Sequence, residues 1–536
     1  MVKQRLLVFL VLLLLLGSKP ARGSVSAADQ PPNRKVEITI PYTEYTWWLL
    51  RWSTNEAVCT LTTDHEGLPT EEDVAGECDA ETYYLWKNTP ACTLDENNPN
   101  TDSCLGLYLM LLNSRPAEKT VIVELPPAQV YVSLSGCTPT SLENLCPAIP
   151  SLLLTGDEPL PNEQITTIYA AYDGVLYTCQ GASCEIPLQP TTLEGSTVEF
   201  WADSSFGDTT EHFTALVRVI ESGPGGAPVD IAGWYVDVLS DQWRGGQIAS
   251  CAEVWQAFPP VGGPPSWLTT PQETSLLASD EPYHYLAGRL IAQGAVDAAE
   301  CASGGMLANG YANACGLEKA WPQVMDWQNQ FDHVIITASL QTNIPSQLLK
   351  NLFAQESQFW PGVFKDPKEF GLGQITDNGA ETVLLWNPAF YNQFCPLVLN
   401  ETTCEKGYPQ LSSEEQATLR GALALQAKSD CAECALGIDL SQSNFSIALF
   451  AETLRANCTQ VAQIVHNASG KMGGEVSNYE DLWRFTIANY HAGAGCVSYA
   501  LHQAWNNNQT LDWATASQYF TPPCQGVISY VEKVAR

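Results

Sequence analysis

The stretch Asn343-Ile344-Pro345-Ser346-Gln347-Leu348-Leu349-Lys350-Asn351-Leu352-Phe353-Ala354-Gln355-Glu356-Ser357-Gln358-Phe359 decides how the chain is read. Pro345 suits the first turn of a helix, where its missing N–H leaves no bond unmade. Leu349, Leu352, Phe353 and Glu356 then fall at i, i+3, i+4 and i+7, so the stripe a helix would bury ends in a carboxylate. A carboxyl group against apolar walls has its charged form disfavoured and can hold a proton near neutral pH. That is the requirement for a general acid that protonates a glycosidic oxygen. On the stripe alone, a solvated glutamate at a helix end is the commoner meaning.

Two later segments shift that weighing. Glu356-Ser357-x-Phe359-x-Pro361 is followed by Gly371-Leu372-Gly373-Gln374-Ile375-Thr376 and then by Ala488-Asn489-Tyr490-His491-Ala492-Gly493-Ala494-Gly495. With these three motifs in order, and Gln374 18 residues after Glu356, residues 318–536 resemble the catalytic domain of soluble lytic transglycosylases, the SLT-type branch of the lysozyme-like superfamily. The resemblance implies a mainly α, lysozyme-like domain with Glu356 as its single acid/base, Gln374 lining the cleft and Tyr490 near the carboxyl. Enzymes of this kind protonate the bond between N-acetylmuramic acid and N-acetylglucosamine and then take a proton from the muramoyl 6-hydroxyl, leaving a 1,6-anhydro sugar. The substrate's own acetamido group can stabilise the oxocarbenium-like centre, so no second carboxylate is needed as nucleophile. Ser357, Ile375, Trp360 and His491 are further candidate substrate contacts, with Trp360, close to Glu356 in sequence, the best candidate for stacking on a sugar. No metal ligand set or cofactor is expected.

The chain departs from the family pattern in four places. The usual Ser-x-x-Gly-Ala is replaced by Lys365-Asp366-Pro367-Lys368-Glu369. Gly373 stands where the family has Met, which would open a subsite, and His491 stands in an Asn position, either hydrogen bonding or structural. The gap from Gln374 to Tyr490 is about twice that expected and holds five cysteines, which points to an inserted, disulfide-bonded helical segment near 395–458. Asp366, Glu369, Asp377 and Glu381 are either solvated loop acids or include a second acid, in which case the enzyme would be a hydrolysing muramidase. Gly371, Gly373, Gly493 and Gly495 allow close approach of backbone to a saccharide, or are plain turn glycines.

Outside this region the composition bounds the alternatives. The 536 residues carry 25 Lys plus Arg against 59 Asp plus Glu, a formal charge of -34. Neutralising phosphates needs a basic surface, so nucleic acid is not an expected partner, and an anionic membrane surface is disfavoured likewise. With 16 Trp, 20 Tyr and 16 Phe the chain is not a disordered acidic protein. Lys3 and Arg5 before the apolar run Leu6 to Leu16, then Ala21-Arg22-Gly23, read as a secretory signal peptide over 1–23. No later stretch has the length and apolarity of a membrane span.

Export makes the 18 cysteines disulfide candidates. Short spacings favour Cys59 with Cys78, Cys92 with Cys104, Cys137 with Cys146, Cys179 with Cys184 and Cys395 with Cys404. Cys431-Ala-Glu-Cys434 is read as a structural disulfide, since neither a second ligand pair for zinc nor a βαβ context is visible. Sequons at Asn400, Asn444, Asn457, Asn467 and Asn508 fit a secreted chain. Alternating runs such as Val36-Glu37-Ile38-Thr39-Ile40 and Val130-Tyr131-Val132-Ser133-Leu134 predict strands. The expected layout is therefore multidomain: two all-β, sandwich-like domains over 24–158 and 159–246, separated at Pro159–Pro161, a linker and helical segment over 247–317, and the lysozyme-like domain over 318–536. Two functions from different classes follow. One is a secreted or cell-wall-associated peptidoglycan lytic transglycosylase; the other is a non-catalytic glycan-binding or adhesion protein in which the β domains carry the function.

Overall fold

The computed structural model describes residues 34–92, 104–137, 144–222, 233–244, 250–362 and 369–536. The expected signal peptide, residues 1–23, and Lys365, Asp366, Pro367 and Lys368 lie outside them. The chain divides into two compact units. One is formed by residues 1–127 with 159–163 and 206–208, the other by the remaining residues up to 536.

In the first unit β1 (Lys35–Arg51), β2 (Ala57–Thr63) and β3 (Leu107–Glu124) form an antiparallel sheet in the order β2-β1-β3. The alternation in Val36–Ile40 does mark a strand, but Val36 and Ile40 stay exposed because this half of β1 pairs with β3 alone. The buried core is small: Trp47, Leu49, Leu61, Val74 and Leu107. Two helices, α1 (Glu71–Glu77) and α2 (Ala80–Asn88), pack on it. Thr70 and Asp73 cap α1 reciprocally, each side chain accepting from the other's backbone N–H. The Cys59–Cys78 disulfide joins β2 to the end of α1, the kind of staple a core this thin requires. This unit is thus one small sheet with helices, not the expected sandwich. Alternation reports that a strand has two different faces but not what covers them.

Among the described residues the second unit begins with nine strands, β4 (Gln129–Ser135), β5 (Leu145–Cys146), β6 (Ser151–Asp157), β7 (Ile165–Tyr172), β8 (Val175–Gln180), β9 (Ser183–Pro187), β10 (Ser196–Ser204), β11 (Phe213–Glu221) and β12 (Trp234–Leu239). They make two antiparallel sheets, β4-β6-β9 and β5-β12-β11-β10-β7-β8. Residues at every second position, Val130, Val132, Leu152 and Leu154 from one sheet and Ile168, Ala170, Val198, Phe200, Val217 and Val219 from the other, are buried in one core. Strands expected in two domains therefore share a single sandwich. The proline break at 159–161 lies between β6 and β7, because proline ends a strand as readily as a domain. In β11, Arg218 is buried, ion-paired at 2.6 Å with Asp237 of β12. It also donates to the Pro259 carbonyl at 2.6 Å and lies over the Phe258 ring. The expected linker is thus pinned against the sandwich at Phe258 and Pro259.

From residue 250 the unit is helical. Its main helices are α3 (Ser250–Trp255), α4 (His284–Ala292), α5 (Ala314–Asn329), α6 (Asp332–Thr342), α7 (Ser346–Ser357), α8 (Asp377–Trp386), α9 (Ser413–Ala427), α10 (Leu440–Ser469), α11 (Tyr479–Ala492), α12 (Ala494–Asn508) and α13 (Gly526–Val534). The 30-residue α10 is the hub, packing on α3, α6, α8, α9, α11 and α12. Trp255, Trp267, Tyr283 and Leu286 belong to the same core as the residues after 318, so residues 250–317 are part of this helical body. Trp255 Nε1 donates to the Cys458 carbonyl at 3.1 Å beside the Cys251–Cys458 disulfide. The stretch 395–458, expected to be an insertion, accordingly ends inside the hub helix. Asn457, one of the sequons, is buried there, donating to Thr453 O and accepting from Asn489.

Nine disulfides engage all 18 cysteines, including the five local pairs and Cys431–Cys434. Cys301–Cys315 and Cys496–Cys524 complete the set. Among the described residues, no helix is long and apolar enough to cross a membrane.

Candidate functional site

The stripe of α7 is buried as its spacing predicts: Leu349, Leu352 and Phe353 are inaccessible. So is Lys350, which reaches Asp332 at 2.5 Å and Asn329 at 3.2 Å and fixes α7 against α5 and α6. Burial holds the Lys350 ammonium below its ordinary pKa and the Asp332 carboxyl above its own. The helix stops at once after Ser357, because Gln358 and Phe359 both take left-handed backbone, φ 48° and 60°. Gln358 Oε1 accepts from the backbone N–H groups of Tyr285 and Leu286 at the start of α4. Glu356 is left in the last turn with its side chain 15% exposed.

Two other helices converge on that carboxyl. From α13, the Tyr530 hydroxyl donates to Glu356 Oε1. From α11, His491 brings Nδ1 to 3.9 Å from the same oxygen, and its ring stacks on Tyr530 at 3.8 Å between centroids. Also from α11, Tyr490 donates to the carbonyl of Gly373 and sets its ring edge-on to Phe450 of α10. Burial, then the Glu356 and Glu369 charges, push the Tyr490 phenol well above its usual pKa. Tyr530 is raised likewise by burial, Glu356 and Tyr490. Both phenols therefore stay protonated and act as donors.

The loop 369–376 is clamped from both sides. Ser357 Oγ, fully buried, donates to the Leu372 carbonyl at 2.7 Å, and Ser446 Oγ accepts from Leu372 N–H. Gly371 has φ +70°, which suits glycine. A Cβ on Gly373 would lie 2.6 Å from Phe450 Cγ and closer to two other ring atoms. Glycine in the Met position therefore accommodates Phe450 and opens no subsite. Gln374 Nε2 donates to the Gly371 carbonyl at 2.7 Å, while its buried Oε1 has no hydrogen-bond partner among the described residues.

The expected site residues thus separate. Glu356, Tyr490 and His491 are brought together around one carboxyl, and Ser357 and Gln374 hold the adjoining loop. Ile375 is buried, its backbone bonded to Phe370, and Trp360 is 1% exposed, stacked on Trp327 with the Arg289 guanidinium over its ring. The residue expected to stack on sugar is thus core, since adjacency in sequence does not survive the reversal at Gln358 and Phe359. Of the candidate second acids, Asp377 pairs with Arg420 at 3.1 Å, while Glu369 is near enough for its charge to act on Tyr490. Tyr530 was not singled out from the sequence. Its only local mark is the amphipathic spacing Val527, Val531 and Val534 around it. Among the described residues, no group of three or more His, Cys, Asp or Glu side chains is placed to hold a metal ion.

Compared with models of known protein families, with curated proteins and with solved structures, the chain shows no significant match.

Proposed function

We propose that the helical region is a peptidoglycan lytic transglycosylase with Glu356 as its acid/base. The observation that carries this proposal is the convergence of residues from two separated motifs, Glu356 from one and Tyr490 and His491 from the other, with Tyr530 on one partly shielded carboxyl. In the proposed reaction Glu356 gives its proton to the glycosidic oxygen as the bond to the muramoyl C1 breaks. The substrate's acetamido group stabilises the positive centre. The Glu356 carboxylate then takes the proton of the muramoyl 6-hydroxyl as that oxygen bonds to C1, closing the 1,6-anhydro ring and restoring the acid. Tyr530, donating to Oε1, stabilises the carboxylate between these steps. The nine disulfides fit an oxidising, extracytoplasmic setting.

A hydrolysing muramidase is the second reading, favoured by the reach of the Glu369 charge to Tyr490. Digestion of purified peptidoglycan followed by mass spectrometry of the soluble products tests both. Anhydro-muropeptides that disappear in Glu356→Gln support the transglycosylase, whereas reducing-end products that disappear in Glu369→Gln support the hydrolase. Release of no soluble product by the wild-type protein refutes an enzymatic role and leaves the glycan-binding alternative.

A further inference from the structure

Histidine stands at position 491 where the family pattern has asparagine, and three features of its surroundings favour the charged form of that side chain. His491 lies in the last turn of α11, where the helix dipole favours a cation. Its ring rests on the Tyr530 phenol, with centroids 3.8 Å apart and planes inclined by 10°, and an aromatic face attracts positive charge. Its Nδ1 is 3.9 Å from Glu356 Oε1, beyond hydrogen-bond reach but close enough for two charges to act on each other. The His491 side chain is 40% exposed and exchanges protons with solvent, whereas Glu356, at 15%, has lost most of its water.

The other titratable groups described around this carboxyl cannot supply a positive charge. Burial, then the charge of Glu356, lifts the Tyr530 and Tyr490 phenols well above their usual range, so both stay neutral near neutral pH. Tyr530 gives Oε1 a hydrogen bond but no charge. Glu369, whose charge reaches Tyr490, has the wrong sign. In the proposed reaction Glu356 alternates between acid and anion, and an anion in a shielded pocket is costly unless a cation faces it. We propose that His491 is a positioning residue for the Glu356 carboxylate: its imidazolium stabilises the anion left after the acid has given its proton to the glycosidic oxygen, and cleavage is fastest on the acidic side of the His491 titration. The imidazolium keeps its own proton throughout; the protons that move are the one Glu356 gives and the one it takes from the muramoyl 6-hydroxyl. This rests on the reading of Glu356 as a glycan-cleaving acid.

The test follows the rate of peptidoglycan solubilisation from about pH 5 to about pH 8, the range in which a histidine changes charge. The wild-type rate should rise as pH falls through the His491 midpoint. His491→Asn should flatten this profile, its loss of rate being about tenfold or more greater at the acidic end than at the alkaline end. An equal loss at every pH, which a purely structural role would give, overturns the proposal, as does an unaltered profile. His491→Gln with an unaltered thermal transition gives the same comparison should the asparagine variant fold poorly. NMR titration of the intact protein with labelled histidine rings needs no turnover: the signal missing from His491→Asn should titrate at lower pH in Glu356→Gln than in the wild type. A midpoint unmoved in Glu356→Gln, or moved further in Glu369→Gln, overturns the pairing with Glu356. A midpoint that falls in Glu356→Gln of a protein that releases no soluble product at any pH would instead refute the proposed reaction, and the positioning role with it, while leaving the ion pair established.

Discussion

Replacing Gly373 by alanine adds one methyl group where no room exists. Its backbone is not in the left-handed region, so the substitution tests sterics alone. The new Cβ would meet Phe450 ring atoms, the nearest at a separation that real Cβ atoms do not show. Overpacking of this kind costs about 1–3 kcal/mol, and at about 2–4 °C per kcal/mol the thermal transition of the helical region falls by several degrees. The strain is delivered to the loop whose carbonyls are held by Ser357 and Tyr490. Displacing it by 1 Å would lower glycan cleavage by about 100-fold. Phe450→Ala alone leaves a cavity and costs about 3–5 kcal/mol. In the double variant the added methyl occupies the vacated space, so the combined loss is smaller than the sum by about 1–3 kcal/mol. Near-UV circular dichroism on heating reads the stabilities, and peptidoglycan solubilisation reads the loop. A single variant within about 0.5 kcal/mol of wild type, the scatter of neutral substitutions, or a strictly additive double variant would refute the steric account.

Tyr530→Phe removes a hydrogen bond to a charged group worth about 1.5–3 kcal/mol, so cleavage should fall about 10- to 100-fold with the fold intact; an unaltered rate would exclude Tyr530 from the site. Lys350→Met leaves Asp332 buried without its partner and should cost about 3–5 kcal/mol, whereas Lys350→Met/Asp332→Leu should recover most of it; chemical denaturation that ranks the double variant lower would contradict this. Cys251→Ala/Cys458→Ala opens a loop of 207 residues and should lower stability by about 5 kcal/mol on loop-closure entropy, against under about 2 kcal/mol for Cys431→Ala/Cys434→Ala, which spans 3; equal losses would refute that ordering. His65 should titrate above its ordinary pKa because of its hydrogen bond to Asp73. Its stabilising contribution is then complete below about pH 6.5 and fades as pH rises through the folded value. NMR should show the midpoint falling in Asp73→Asn, and an unmoved midpoint would discount the pair.

The helix bearing Glu356 was legible because its spacing is local: the buried faces of Leu349, Leu352 and Phe353 follow from a 3.6-residue period. The strands were legible for the same reason, yet their assignment to sheets was not. Val130 and Ile168 carry nothing in sequence to say that they share a core, and Val36 and Ile40 alternate as though buried while remaining exposed. Within the site, Trp360 shows the limit most directly. Four residues from Glu356, it is turned into the core by two consecutive left-handed residues that no glycine or asparagine announces. Tyr530 shows the converse, reaching Glu356 across 174 residues of sequence. Short disulfides could be paired by spacing, but Cys251 with Cys458 could not, since long loop closures leave no periodic trace.

That 174-residue reach also sets a schedule for the nascent chain. Synthesis passes Glu356 long before α13 exists, so a chain still emerging carries the carboxyl without the phenol that anchors it. His491 arrives earlier but stacks on the same absent ring. The proposed acid is therefore completed only after α13 has docked against α7, and a chain interrupted before Gly526 would keep every motif resembling the family yet lack the contact of Tyr530 with Glu356.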